Sequence, residues 1–147
     1  MSKSAKILLV DDNPMDVELT LDAFKEAKLK NRIYVVKSGE EALDYLFRRK
    51  DFADRKIYPL PNLILLDLKM PGIDGFEVLT QVKNSIKLKR IPVVILTSSK
   101  EEGDRTLSYN IGANSYLLKP VSFEGFIEVV KKIDDYWISL NVGAPED

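Results

Sequence analysis

Five polar residues, each closing a short apolar run, carry the chemistry open to this chain. Ile7-Leu8-Leu9-Val10 runs into Asp11 and Asp12, Leu63-Ile64-Leu65-Leu66 into Asp67, Val93-Val94-Ile95-Leu96 into Thr97, and Tyr116-Leu117-Leu118 into Lys119. Carboxylates held together repel one another and stay ionised only if a cation joins them or a proton is taken up. Oxygen-only ligands point to a hard ion, and carboxylates with room for water and a phosphate suit Mg²⁺ best. One carboxylate could then attack a phosphoryl group. Lys119 would supply an amine, and Thr97 a hydroxyl, to the oxygens of that group. Each residue alone has a plainer reading, since acids after strands often cap helices and Asp12 or Asn13 must partly do so. The weight rests on the five together.

Such a set needs elements that bring it to one place. Apolar runs rich in Val, Ile and Leu, separated by helical patterns, read as parallel strands buried on both faces. In such sheets ligands sit at the carboxyl ends of the strands, where all five residues fall. Asn13-Pro14 reads as an N-cap and first helical position, with Val17, Leu21 and Phe24 as the inner face. Ile33 to Val36 forms a short second strand. Ser38-Gly39-Glu40-Glu41 is a capping-box pattern opening a helix with Leu43, Leu46 and Phe47 inward. Residues 48–62 read as a long exposed loop. Asp74-Gly75 starts a third helix with Leu79, Val82 and Ile86 inward. Ser99-Lys100-Glu101-Glu102 is a second capping box, opening a poor fourth helix that buries Leu107 and Ile111 and ends at Gly112. Ser122 caps a last helix with a stripe of Phe123, Phe126, Val130, Ile133, Trp137 and Leu140. Strand and helix signals alternating in this way give an α/β doubly wound three-layer fold.

Composition removes several classes. The 147 residues suffice for one domain, expected over residues 1–140, with 141–147 an unstructured tail. The net charge of −1 implies no general affinity for nucleic acid. There is no cysteine, hence no disulfide or thiol chemistry, and no histidine, so the chain cannot be a phosphohistidine donor. No run reaches membrane-spanning length, and the expectation is a cytoplasmic protein.

In order along the chain, Ile7 to Asn13, Leu63 to Gly75, Pro92 to Ser98 and Tyr116 to Pro120 resemble the motifs of the receiver domain of two-component response regulators (CheY-like). The resemblance spans about Lys6 to Ile138. It implies a five-stranded parallel sheet, flavodoxin-like, in the order 2-1-3-4-5. It also implies that Asp67 accepts phosphate from a histidine kinase, with Asp11, Asp12, Asp67 and the Lys69 backbone carbonyl around Mg²⁺. Thr97 and Lys119 would bind the phosphate, Tyr116 would reorient with Thr97 on activation, and the Lys119-Pro120 bond would be cis. The loop at 48–62 and the aromatic end Asp135-Tyr136-Trp137 resemble small stand-alone receivers that partner phytochrome-type histidine kinases.

Some residues keep two readings. Tyr116 is either strand filler or the switch aromatic. Lys69 reads as a solvated lysine, or one that modulates entry of water or a kinase at the pocket mouth. Ile127, Val129 and Ile138 fall off the last helix's stripe, and with Trp137 and Leu140 they make an apolar surplus that suggests a homodimer through that helix. Among other functions, a Mg²⁺-dependent phosphatase of the haloacid-dehalogenase type would want an acid two residues after the nucleophile, where Lys69 stands. A flavodoxin-like cofactor binder would want Ser, Thr and Gly after the first strand rather than Asp11 to Asp16. A degenerate receiver scaffold would lack some of the key side chains, and all are present.

Overall fold

Alternation along the central strands divides their side chains between two helical layers. Leu8, Val10, Ile64, Leu66, Val93 and Ile95 join one buried cluster, and Ile7, Leu9, Leu63, Leu65 and Val94 join the other. This is the period of two that a strand covered on both faces requires. The computed structural model describes residues 5–139. In chain order the elements are β1 (Lys6–Val10), α1 (Pro14–Glu26), β2 (Arg32–Val36), α2 (Gly39–Leu46), a 3₁₀ turn (Lys50–Phe52), β3 (Leu63–Leu66), α3 (Gly75–Asn84), β4 (Val93–Thr97), α4 (Glu102–Ile111), β5 (Ser115–Leu118) and α5 (Phe123–Ile133). The chain continues from α5 as π-helical turns over Asp134–Ser139. All strand pairs are parallel, in the order β2-β1-β3-β4-β5. Among the described residues, no helix is long and apolar enough to cross a membrane.

The order places β1 between β2 and β3, so the ends of β1 and β3 lie side by side, with Val10 opposite Leu66. The acids that follow them are therefore neighbours. Leu43, Leu46, Val78, Leu79 and Val82 from α2 and α3 cover one face. Ala23 and Phe24 of α1, with Phe126, Val130 and Ile133 of α5, cover the other. β1, β3 and β4 are almost wholly buried, whereas the edge strands β2 and β5 are only half covered.

Four caps behave as their sequences suggest. Asn13 Oδ1 accepts from the Met15 and Asp16 N–H groups, with Pro14 at the first helical position. Ser38 accepts from Glu41 N–H, Asp74 from Glu77 N–H, and Ser122 from Gly125 N–H. The fourth helix departs from expectation. α4 begins at Glu102, three residues after Ser99, and no side chain caps it. The Ser99 oxygen instead accepts from the Glu101 N–H at 3.3 Å, ahead of the helix, while its hydroxyl donates to Asp104 Oδ2 at 2.6 Å. The expected inward residue Leu107 is 45% exposed, and Ser108 is buried in its place, bonding back to the Asp104 carbonyl.

Other expectations change as well. Ile86 is 83% exposed, because α3 stops at Asn84 before another inward turn forms. Residues 48–62 are not a plain exposed loop. Tyr45, Phe52 and Tyr58 pack ring on ring, at 5.0 to 5.8 Å between centroids. The Arg55 guanidinium satisfies the carbonyls of Tyr45, Leu46 and Tyr58. Ile127, Val129, Trp137 and Ile138 are partly covered by the layer that α5 forms with α1, so part of the apolar surplus is buried within the chain itself. Leu140 and the tail 141–147 lie outside the described residues. Among the described residues there is no cis peptide bond, so the expected cis Lys119-Pro120 bond is trans, the lower-energy isomer of a tertiary amide.

Candidate functional site

The loops leaving β1, β3, β4 and β5 converge at the carboxyl edge of the sheet. The Asp11 N–H donates to the Val36 carbonyl and the Asp67 N–H to the Val10 carbonyl, so both acids leave the sheet directly from the ladder. Asp11 Oδ1 then accepts from the Asn13 N–H at 2.9 Å, and Asp67 Oδ1 from the Leu68 N–H at 2.8 Å. Each carboxylate is thus oriented by backbone. A carboxylate oxygen from each of Asp11, Asp12 and Asp67 lies within 4.8 Å of the others, close enough to share one ion.

Lys119 is the positive centre of the site. Its side chain is 5% exposed, and its Nζ lies 2.9 Å from Asp11 Oδ2, 2.8 Å from Asp16 Oδ2 and 2.9 Å from Asp67 Oδ2. An ammonium has three donors, and three carboxylates take them. Burial pulls the Lys119 ammonium down. The hydrogen bonds to Asp16, Asp11 and Asp67 outweigh it and hold the group above the ordinary lysine range. Burial pushes the Asp11 carboxyl above its usual value, and the Asn13 N–H and Lys119 recover only part of that shift. The carboxyl groups of Asp11, Asp12, Asp16 and Asp67 outnumber the one ammonium among them. A hard divalent ion fits the three oxygen donors of Asp11, Asp12 and Asp67.

Thr97 ends β4 fully buried, with Oγ1 accepting from the Ser99 N–H at 3.3 Å. Tyr116 lies on β5 two strand positions before Leu118, which pairs with Thr97. Its ring is partly buried against the first cluster, and its hydroxyl donates to the Ser99 carbonyl at 2.9 Å. Lys69 does not reach into the acids. Its Nζ meets Asp104 Oδ2 at 3.0 Å and stands 5.9 Å from the centre of the Phe76 ring. An ion pair thus links the loop after β3 to the first turn of α4.

Asp11, Asp12, Asp67 and Lys119 are brought together as the sequence suggests, with Thr97 at the end of the adjoining strand. Two participants escape sequence reasoning. Asp16 sits in the first turn of α1 and reads there as an ordinary N-terminal acid. Asp104 sits in the first turn of α4 and likewise reads as an ordinary N-terminal acid. Pro14 held a clue to the first, since it fixes the turn that aims Asp16 at the strand ends.

The chain and its 2-1-3-4-5 sheet have counterparts among known proteins. The probable methanogenesis regulatory protein FilR2 of Methanothrix harundinacea is 43% identical over 135 residues, covering 92% of this chain and 84% of that protein. The crystal structure of the phosphorylated cyanobacterial phytochrome response regulator RcpA superposes with a TM-score of 0.89 at 36% identity, covering 97% of this chain and 100% of that one. The Mn²⁺-bound form of the response regulator Rcp1, a protein of Synechocystis, superposes with a TM-score of 0.85 at 34% identity, covering 96% and 99%. The response regulator receiver domain matches residues 7–131, a span that takes in nearly the whole described fold, and the chain belongs to that family.

Proposed function

We propose that Asp67 is the phosphoacceptor of a signalling switch. The observation that carries this reading is the Lys119 ammonium bonded at once to Asp11 and Asp67, beside a triad of carboxylates able to share a cation. In the transfer, an Asp67 carboxylate oxygen attacks the phosphorus of a phosphohistidine. The P–N bond breaks, its electron pair stays on the imidazole, and Asp67 becomes an acyl phosphate. A bound Mg²⁺, held by Asp11, Asp12, Asp67 and the Lys69 carbonyl, would neutralise charge on the phosphoryl oxygens. Mn²⁺ in Rcp1 supports a divalent ion in that set. Lys119 would exchange carboxylate partners for a phosphoryl oxygen, and the Thr97 hydroxyl would leave the Ser99 N–H to donate to another. Ser99 would then carry the change to Tyr116, whose hydroxyl holds its carbonyl.

The phosphate donor we infer is a histidine kinase of the cytoplasm, of the phytochrome type, on the strength of the likeness to RcpA. Nothing in the site suits turnover of an outside substrate. The general acid that a haloacid-dehalogenase-type phosphatase needs two residues after its nucleophile is replaced by Lys69, engaged with Asp104. A homodimer through the end of α5 remains our reading of its aromatic end, where Tyr136 is 63% exposed. Sedimentation over a concentration series, with and without a phosphoryl mimic, tests it, and a monomer in both states refutes it.

The deciding experiment for Asp67 is incubation with a small phosphodonor and Mg²⁺. An alkali-labile adduct of about 80 Da should form on the parent and be absent from Asp67→Asn. An adduct of equal yield on that variant would refute the assignment.

A further inference from the structure

The acids around Lys119 form two overlapping sets of three. Asp11, Asp12 and Asp67 are close enough to share an ion. Asp11, Asp16 and Asp67 share the ammonium. Asp16 is the member that belongs to the lysine alone, so a metal in the triad relieves every carboxylate here more directly than it relieves Asp16.

Its position is built. Pro14 and the Asn13 cap set the first turn of α1, with the Asp16 N–H itself donating to Asn13 Oδ1 at 3.1 Å. The Asp16 carbonyl accepts from Thr20 Oγ1 at 2.7 Å. An acid placed only to suit the helix dipole would remain in water. The Asp16 side chain is instead 22% exposed and directs Oδ2 at a lysine 103 residues away in the chain.

Phosphoryl arrival changes the balance. Each N–H that Lys119 gives to a phosphoryl oxygen must leave one of its three carboxylates. Asp11 would still have a bound Mg²⁺ as partner, and the charge of Asp67 would pass into the acyl phosphate. Asp16 has neither recourse.

We propose that Asp16 is a positioning residue for phosphoryl transfer, one that parks Lys119 in its resting place and opposes the arrival of the phosphoryl group. This rests on the reading of Asp67 as acceptor. Asp16 thereby sets how readily the site is loaded, and its removal makes a faster acceptor.

The test compares the parent with Asp16→Asn, which keeps the size and removes the charge, and with Asp16→Glu, which restores the charge. In metal-free protein, ¹⁵N spectroscopy of the lysine ammonium groups reads the Lys119 pairing directly. Its resonance should shift and its protons exchange faster in Asp16→Asn, returning toward the parent in Asp16→Glu. Uptake from acetyl phosphate with Mg²⁺ should quicken about three- to tenfold in Asp16→Asn, the effect of one unit charge a few ångströms from a partly solvated site. Mg²⁺ affinity, read from the melting temperature, should fall far less than in Asp12→Ala; an equal fall would make Asp16 a metal-facing carboxylate and overturn the proposal. An unchanged ammonium signal overturns it too. If the parent takes up phosphate and Asp16→Asn is no faster, this proposal fails alone. If the parent takes up none, the reading of Asp67 fails and this one with it.

Discussion

The Tyr116 hydroxyl donates to the Ser99 carbonyl at 2.9 Å, tying the edge strand β5 to the segment that joins Thr97 to α4. Ser99 is bound on every side, with its N–H on Thr97 Oγ1 and its hydroxyl on Asp104. A change at Thr97 is therefore felt by Tyr116 through one residue. Tyr116→Phe removes that bond alone. It should cost about 1 kcal/mol, the net worth of a partly buried hydrogen bond, and should speed amide exchange across residues 99–104. Phosphate uptake at Asp67 should stay within about twofold of the parent, because Tyr116 touches none of the acids. Slowed uptake with unchanged exchange would place Tyr116 in the chemistry instead of the relay.

The Lys69–Asp104 pair should impose a pH dependence of its own. The Ser99 hydroxyl, and then Lys69, hold the Asp104 carboxyl below its ordinary value of 3.8. A carboxyl lowered by folding contributes stability that is fully present above its unfolded value. That contribution is lost as the pH falls through the lowered one. The difference in stability between the parent and Asp104→Asn should therefore be constant above about pH 5 and shrink below pH 4. Because Lys69 is 57% exposed, the plateau should be modest, about 0.2–1 kcal/mol. Denaturant melts at several pH values measure it, and a difference that grows toward acid would contradict the pairing.

How far the sequence revealed this site follows from where each partner sits. Asp11, Asp67, Thr97 and Lys119 end apolar runs, and parallel strands in register must bring such ends together. Asp16 and Asp104 enter from helices whose approach is set by packing, α1 beside α5 and α4 beside α3, and no local pattern records that approach. Ser99 is the reverse case: the capping-box spelling is present, but its oxygen meets the Glu101 N–H, its hydroxyl meets Asp104, and α4 starts without a side-chain cap. The off-stripe apolar residues of α5 find partial cover because the helix is flanked by α1 as well as by the sheet, and a single stripe describes only one contact surface.

Lys119→Met should separate stability from metal affinity. It leaves Asp11, Asp16 and Asp67 together without their ammonium, and breaking a buried ion pair from one side costs about 3–5 kcal/mol. Without metal, the variant should melt well below the parent. Saturating Mg²⁺ should restore more to the variant than it adds to the parent, since the ion then meets carboxylates with no competing cation. Thermal melts with Mg²⁺ and with a chelator decide it. An equal metal-induced rise in both proteins would mean that lysine and metal do not act on the same charges.

Gly75 links packing to chemistry at the acceptor loop. It opens α3, and its N–H donates to the Leu68 carbonyl at 2.9 Å. A Cβ there would overlap the Asp67 carbonyl oxygen and stand 2.7 Å from Leu68 Cα, so Gly75→Ala must push the backbone that carries Asp67. The Leu68 N–H also orients Asp67 Oδ1, so the displacement re-aims the carboxylate. We expect a loss of about 1–3 kcal/mol, as for other overpacked sites, and phosphate uptake slowed roughly tenfold or more, since small misplacements of a nucleophile are costly. Gly103→Ala is the matched control. It lies in the first turn of α4, where an added Cβ meets nothing within 4 Å. It should stabilise the helix by roughly 0.5–1 kcal/mol and leave uptake unchanged. Equal uptake in both variants would show that the Asp67 carboxylate is not held by the backbone that Gly75 packs against.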